Sequence, residues 1–360
     1  MVVRLEDNVL NQQLAPEQPK FKIWSSAGLM LTYWCPSRCA CCYVFADPQA
    51  DNPQTQMSVE MALGAWRAIR QMAGPRGKVH ITGGEPFGDY DRLKQILQGA
   101  CEEKLEGLEK IETNAFWCTS EQIIRERLKE LKSLGLKKLQ ISTDVYHQEY
   151  ISLDLVQRAV EVGRQILGPN QVQVRWRDFL AQPVLVAGLS RTERDSAFAD
   201  ALNKRKERLL GRAAEELVNL LPQKDYNDFA GDNCARNLLA AQHVHIDGAG
   251  NVFSGTCLGI VTGRIRTGGN ETLERLWRQL NYHEHPIFSI LLEQGPVGLL
   301  KEAKKYGYQH LPSYASKCHI CYDVRRFLYE MGLYPVHLGP DLCYGIHENT
   351  LDKHEDKLED

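Results

Sequence analysis

Between residues 27 and 180, short apolar runs alternate with longer stretches in which apolar residues recur at helical spacing. The runs at 28–34 (GLMLTYW), 78–82 (KVHIT), 111–116, 138–143 and 172–178 are short and rich in β-branched and aromatic residues, which predicts buried strands. Ser58, Asp89, Ser120 and Ser152 stand where N-caps belong, ahead of helices predicted over 59–73, 90–104, 121–134 and 153–167. Regular alternation of strand and helix implies βαβ units around a parallel sheet, hence an α/β protein. The stretch 188–216 carries Lys204, Arg205, Lys206 and Arg208 close together and reads as a solvated helical face rather than a binding patch. From about residue 234 the texture changes. The segment HVHIDGAGNVFSG at 243–255 predicts a hairpin turning on its Asp-Gly and Gly-Asn pairs, and a domain boundary is expected near 220–233.

Composition adds bounds. At 360 residues the chain exceeds the size at which one core stops growing, so a large domain and a smaller one are expected. A formal charge of -3 supplies no field that would draw the protein to nucleic acid or an acidic membrane, and neither partner is expected. Residues 1–20 lack the apolar stretch of a secretory signal, and no apolar run approaches bilayer length. A cytoplasmic location is the expectation, and there thiols stay reduced. The eleven cysteines, odd in number and clustered, therefore point to metal ligation or redox chemistry rather than disulfides.

Cys35, Cys39 and Cys42 lie in CPSRCACCY with three and then two residues between them. Three thiolates on one tight loop suit three corners of a cubane iron–sulfur cluster, leaving one iron open to an external ligand; zinc or incidental thiols are the alternatives. About forty residues on, a second apolar strand runs into Gly83-Gly84-Glu85-Pro86. The two motifs together resemble the radical S-adenosylmethionine (SAM) superfamily, across roughly 28–335. The resemblance implies a partial (β/α)6 TIM-like barrel as radical SAM core over 27–225, after an N-terminal extension at 1–26. It implies a SAM-binding [4Fe-4S] cluster, whose reduced form cleaves SAM to methionine and a 5′-deoxyadenosyl radical. Gly83, Gly84 and Glu85 would meet the methionine amino group, since glycines admit close backbone approach and a carboxylate suits an ammonium. Tyr43 occupies the position beside the adenine, with core packing as its alternative. Ser142 and Asp144 match positions facing the ribose, with a strand-end turn as theirs. Asn114 falls where relatives have a Thr-Asn-Gly turn, here with Ala115 in place of the glycine.

Cys234, Cys257 and the Cys318/Cys321 CxxC pair form a second candidate set, for zinc or for an iron–sulfur cluster. Beside a radical SAM core it resembles the SPASM and twitch extensions, which implies an auxiliary four-cysteine [4Fe-4S] cluster over 226–340, before an acidic tail at 341–360. Six residues separate Gly250 from Cys257 where SPASM proteins have four, and no further cysteine follows Cys321 at short spacing, which favours the single-cluster twitch arrangement. Cys343 is a substitute ligand, an acid or hydrogen-atom donor, or a bystander. Cys101 and Cys118 read as small buried hydrophobes, and Cys41 falls outside the ligand spacing.

Arg175 and Arg177 alternate along one strand face, where either could hold the SAM carboxylate. Arg212 either helps seat SAM or packs a helix start. His147 and Glu149 are candidate proton acceptors or loop hydrogen-bonders. The implied enzyme removes a substrate hydrogen and passes an electron to the auxiliary cluster, with a flavodoxin or ferredoxin as reductant. Its substrate is a small molecule, toward which the short segment before the first strand leans, or a precursor peptide presented by a partner. The rivals are a non-catalytic iron–sulfur electron carrier and a zinc-binding structural protein.

Overall fold

The computed structural model describes residues 3–50, 52–268 and 271–346. One eight-stranded sheet organises them, in the order β5-β4-β3-β2-β1-β6-β7-β8. The strands are β1 (Ser26–Met30), β2 (Lys78–Thr82), β3 (Leu108–Thr113), β4 (Leu139–Ser142), β5 (Val172–Arg175), β6 (His243–Ile246), β7 (Asn251–Ser254) and β8 (Gly263–Arg264). β1 to β6 run parallel to one another, and β7 and β8 are added antiparallel beside β6. This is the expected α/β partial barrel with an open sheet. Its sixth parallel strand, however, comes from the C-terminal hairpin and pairs with β1 rather than β5.

The helices are α1 (Val9–Gln13), α2 (Val59–Ala73), α3 (Tyr90–Glu102), α4 (Glu121–Ser133), α5 (Val145–Gln148), α6 (Leu153–Leu167), α7 (Arg177–Ala181), α8 (Arg191–Lys204), α9 (Ala213–Glu216), α10 (Ala235–Leu239), α11 (Leu273–Gln279), α12 (Pro286–Glu293), α13 (Gly295–Lys304) and α14 (Lys317–Glu330). Ser58, Asp89 and Ser120 accept hydrogen bonds from Met61, Arg92 and Ile123 N–H and so fix the starts of α2, α3 and α4. Ser152 precedes α6 without such a bond. α2, α4 and α6 lay apolar faces, with Trp66, Ile69, Leu128 and Val160 buried, against the outer side of the sheet.

Two predicted strands end early for a local reason. Ala115 and Trp176 both take left-handed backbone, at φ of 68° and 60°, which stops β3 at Thr113 and β5 at Arg175. The left-handed conformation costs a non-glycine residue about 1–2 kcal/mol, so Ala115 adopts at some strain the turn that glycine would take freely. Arg177 thereby becomes the first residue of α7 and is exposed, and it does not share a strand face with Arg175.

Both ends of the described residues are tied into the fold. Asn8 Nδ2 donates to the Trp277 and Leu280 carbonyls at 2.5 and 3.0 Å, and Phe21 stacks on Trp277. Because β6 continues the sheet from β1, residues after 226 share its framework. Residues 341–346 do not belong to a tail. Leu342, Cys343 and Tyr344 are buried, Phe45 N–H donates to the Leu342 carbonyl at 2.8 Å, and the Tyr344 hydroxyl donates to the Gly259 carbonyl at 2.6 Å. The rest of the expected acidic tail lies outside the described residues. Cys118 is buried as expected, whereas Cys101 is exposed on α3. Among the described residues, no helix is long and apolar enough to cross a membrane.

Candidate active site

The loop after β1 is held from three sides. Cys35 N–H donates to the Asp47 carbonyl at 3.1 Å, Cys42 N–H to the Cys39 carbonyl at 3.1 Å, and Ala213 N–H to the Cys42 carbonyl at 3.1 Å. Arg212, 3% exposed, donates to the Ala46 carbonyl at 2.9 Å and the Cys39 carbonyl at 3.4 Å, with its guanidinium 3.8 Å from the Asp47 carboxylate. It does not reach the cavity: of the two roles expected for it, its position favours packing.

Cys35, Cys39 and Cys42 line one side of a cavity of about 370 Å3 at the sheet's C-terminal end. Burial, then the Glu85 carboxylate, pushes the Cys35 thiol up to about 12, and burial raises Cys39. Such sulfurs stay protonated unless a cation compensates them, and iron is a soft-ligand cation of the right kind. The Asn114 side chain donates to Cys35 Sγ at 3.6 Å, a second contact suited to a charged sulfur. The donor set and its cavity therefore fit a three-thiolate cluster.

Gly83 and Gly84 also line this cavity. Gly84 N–H donates to the Thr32 carbonyl at 2.6 Å, and a Cβ at Gly84 would strike the Trp34 carbonyl oxygen. Gly84→Ala must push two backbones apart. We expect a loss of about 1–3 kcal/mol, visible as a lower urea midpoint; an unchanged midpoint would mean the strand end can yield.

Two residues expected to contact SAM, Glu85 and Asp144, keep their side chains out of the cavity lining. Glu85 is fully buried and does not line the cavity: its carboxylate accepts from Phe87 N–H at 3.1 Å, the Thr113 hydroxyl at 2.9 Å and Asn114 N–H at 2.7 Å. Burial raises it to about 7, and its work is to tie the β2 end to the β3 end. Asp144, 2% exposed, spends its carboxylate on α5, accepting from Tyr146 and His147 N–H and from His147 Nδ1 at 2.7 Å. Burial opposes its charge, but the His147 contacts outweigh burial and hold it below the usual range.

The remaining candidates separate cleanly. Tyr43, Asn114, Ser142, His147 and Arg175 line the cavity. The Tyr43 hydroxyl donates to Glu207 at 3.4 Å, and Arg175 lies 3.9 Å from the same carboxylate, which burial raises to about 7. Glu207 sits inside the charged 188–216 stretch assigned to solvent, yet its side chain is 3% exposed. Glu149 faces a different depression, paired with Arg194 at 3.1 Å, and so is not poised as a base in the cavity. Cys343 is also outside the cavity, 2% exposed and in contact with Tyr33.

Cys234, Cys257, Cys318 and Cys321 are brought together from the α10 start, the β7 end and the first turns of α14. Burial, then neighbouring thiols, pushes Cys234 up to about 12 and Cys257 up to about 11. No three of these thiols lie within 4.8 Å of one another. Sequence reasoning missed the opposite, N-terminal half of the cavity, where His80, Lys110, Glu112, His243 and His245 project from β2, β3 and β6.

The three thiols and the two glycines thus line one strand-built cavity. The profile of the radical SAM superfamily matches residues 29–166. Over 90 residues it is 30% identical to the putative peptide biosynthesis protein YydG of Bacillus subtilis (strain 168), covering 24% of this chain and 27% of that relative's length. Solved structures similar to it include BtrN in complex with AdoMet and 2-DOIA, at TM-score 0.44 and 15% identity over 77% of this chain and 90% of that one. They also include Streptococcus suis SuiB bound to S-adenosylmethionine, at TM-score 0.35 and 14% identity over 93% and 80%. A third is native anSMEcpe with AdoMet and the Cp18Cys peptide, at TM-score 0.42 and 10% identity over 85% and 97%.

Proposed function

We propose that this enzyme binds SAM across the cavity between the Cys35/Cys39/Cys42 loop and Gly83-Gly84, and removes a hydrogen atom from a carbon of a peptide substrate. The observation that carries the reading is the convergence on one cavity of two buried thiols and a half-buried third, two glycines, and His147, whose ring Asp144 holds from behind. When bound, the cluster and SAM supply reductive cleavage of the sulfonium and the radical that attacks the substrate. The chain's own residues position and exclude water. Arg175 offers a guanidinium to a carboxylate, and Ser142 and Asn114 offer polar contacts to the nucleoside or methionyl end. The peptide as substrate draws support from the naming of the Bacillus subtilis relative over its matched quarter. Cys234, Cys257, Cys318 and Cys321 would hold an auxiliary [4Fe-4S] cluster closed to substrate, which takes the second electron in a net oxidation.

His147 is the proposed proton acceptor. Asp144 takes the Nδ1–H, which in the neutral ring leaves Nε2 with a lone pair. His147→Gln should leave 5′-deoxyadenosine formation within about threefold while lowering substrate turnover by about 10²–10⁴, both read by mass spectrometry in one assay. Turnover equal to the parent's would remove His147 from the chemistry. The genes beside this one decide the substrate class: a short precursor peptide supports the reading, and a sugar-modifying set overturns it.

A further inference from the structure

Strand register places His245, Gly28, His80 and Lys110 side by side across β6, β1, β2 and β3. His243 lies two residues before His245 on β6 and therefore on the same face. Between the His80 and His245 rings stands the one residue type with no side chain. A Cβ at Gly28 would come within 2.6 Å of His245 Cδ2 and 2.9 Å of His80 Nε2. The three rings pack at centroid distances of 4.6 to 5.8 Å, and one ring nitrogen from each lies within 4.8 Å of the others.

We propose that His80, His243 and His245 form a binding site for one divalent transition-metal ion, of which zinc is the type, in the same cavity but distinct from the two cysteine sets. Two rings are already oriented as ligands. His245 Nδ1 donates to the Gly255 carbonyl at 2.7 Å, and His243 Nδ1 is 2.9 Å from the Ser26 hydroxyl, so both can present Nε2 inward. Metal-bound histidines use their second nitrogen in this way, which fixes tautomer and ring direction. Zinc at about 2.1 Å from each nitrogen would hold them roughly 3.4 Å apart, within a small inward movement of the observed grouping. Glu112 and Lys110 face the group from β3; the Lys110 ammonium is held by Glu112 and Gln140 at 2.8 Å each. Three nitrogens leave an open position toward the cavity, where the ion would polarise a carbonyl or carboxylate oxygen of the substrate. The site stands independently of the iron–sulfur reading.

The test is zinc titration of the iron-loaded full chain by calorimetry, with iron content followed throughout. One zinc per chain should bind without iron loss. His243→Ala/His245→Ala should abolish it, and Ser26→Ala should weaken it about 10–100-fold. Replacing Cys35, Cys39 and Cys42 should leave it intact. Should the double variant misfold, His80→Gln and cobalt(II) serve: visible d–d bands without a near-ultraviolet sulfur-to-cobalt band are expected. No zinc uptake, uptake indifferent to these histidines, or a thiolate band overturns the proposal. A chain that binds this zinc yet never binds iron would instead sink the cluster reading and leave the site standing.

Discussion

With Cys35, Cys39 and Cys42 replaced by Ala, 5′-deoxyadenosine formation from SAM and dithionite falls to background. The loss is at least 10³-fold, about 4 kcal/mol of barrier, because no other described group in the cavity offers three soft donors on one loop. The same assay separates the second cysteine set. Replacing Cys318 and Cys321 removes two of four neighbouring thiols from α14 and leaves the loop after β1 untouched. Iron should drop from about eight to about four per chain while SAM cleavage persists and substrate turnover stops. Anaerobic reconstitution with iron assay reads the first quantity, and chromatography of the nucleoside reads the second. SAM cleavage persisting in the first variant removes the loop as the reaction site. Iron unchanged in the second removes the auxiliary cluster.

How far the sequence announces this architecture depends on which face of each strand is considered. The four helices expected with bounds, α2, α3, α4 and α6, were legible to within two residues because cap, apolar spacing and length agree, as at Ser58 with α2. Strand ends were less so: Trp176 is a good strand former by composition, and only its left-handed backbone shows that Arg177 leaves the strand. The thiol loop was legible because its three cysteines lie close together in sequence. The hydrogen-bond partners of Glu85 and Asp144 were not legible, because Thr113 and Asn114 for one and α5 N–H groups for the other are set by how strand ends meet. The histidine group had a signal that went unused. Along β2, β3, β4 and β6, the residues Val79, Ile81, Ile111, Leu139, Ile141, Val244 and Ile246 are fully buried and apolar, and His80, Thr82, Lys110, Glu112, Gln140, Ser142, His243 and His245 alternate with them. That period of two means a polar barrel interior, not strands apolar on both faces.

Arg212 carries the second large effect, and two readings of it predict different measurements. If it braces the thiol loop, Arg212→Met leaves the Ala46 and Cys39 carbonyls without their guanidinium donor and weakens the charge balance at the 1%-exposed Asp47. Losing one partner of a buried charged pair costs about 3–5 kcal/mol; here the pair is loose, and about 3 kcal/mol is expected. The urea midpoint falls accordingly, and iron leaves the Cys35/Cys39/Cys42 loop faster under chelator, because the backbone positions that aim Cys39 and Cys42 have lost their support. Arg212→Lys should rescue little, since one ammonium cannot span two carbonyls as a planar guanidinium does. If Arg212 instead seated SAM, the midpoint would hold and only SAM affinity would fall. Its burial behind the loop, with no face on the cavity, selects the first outcome.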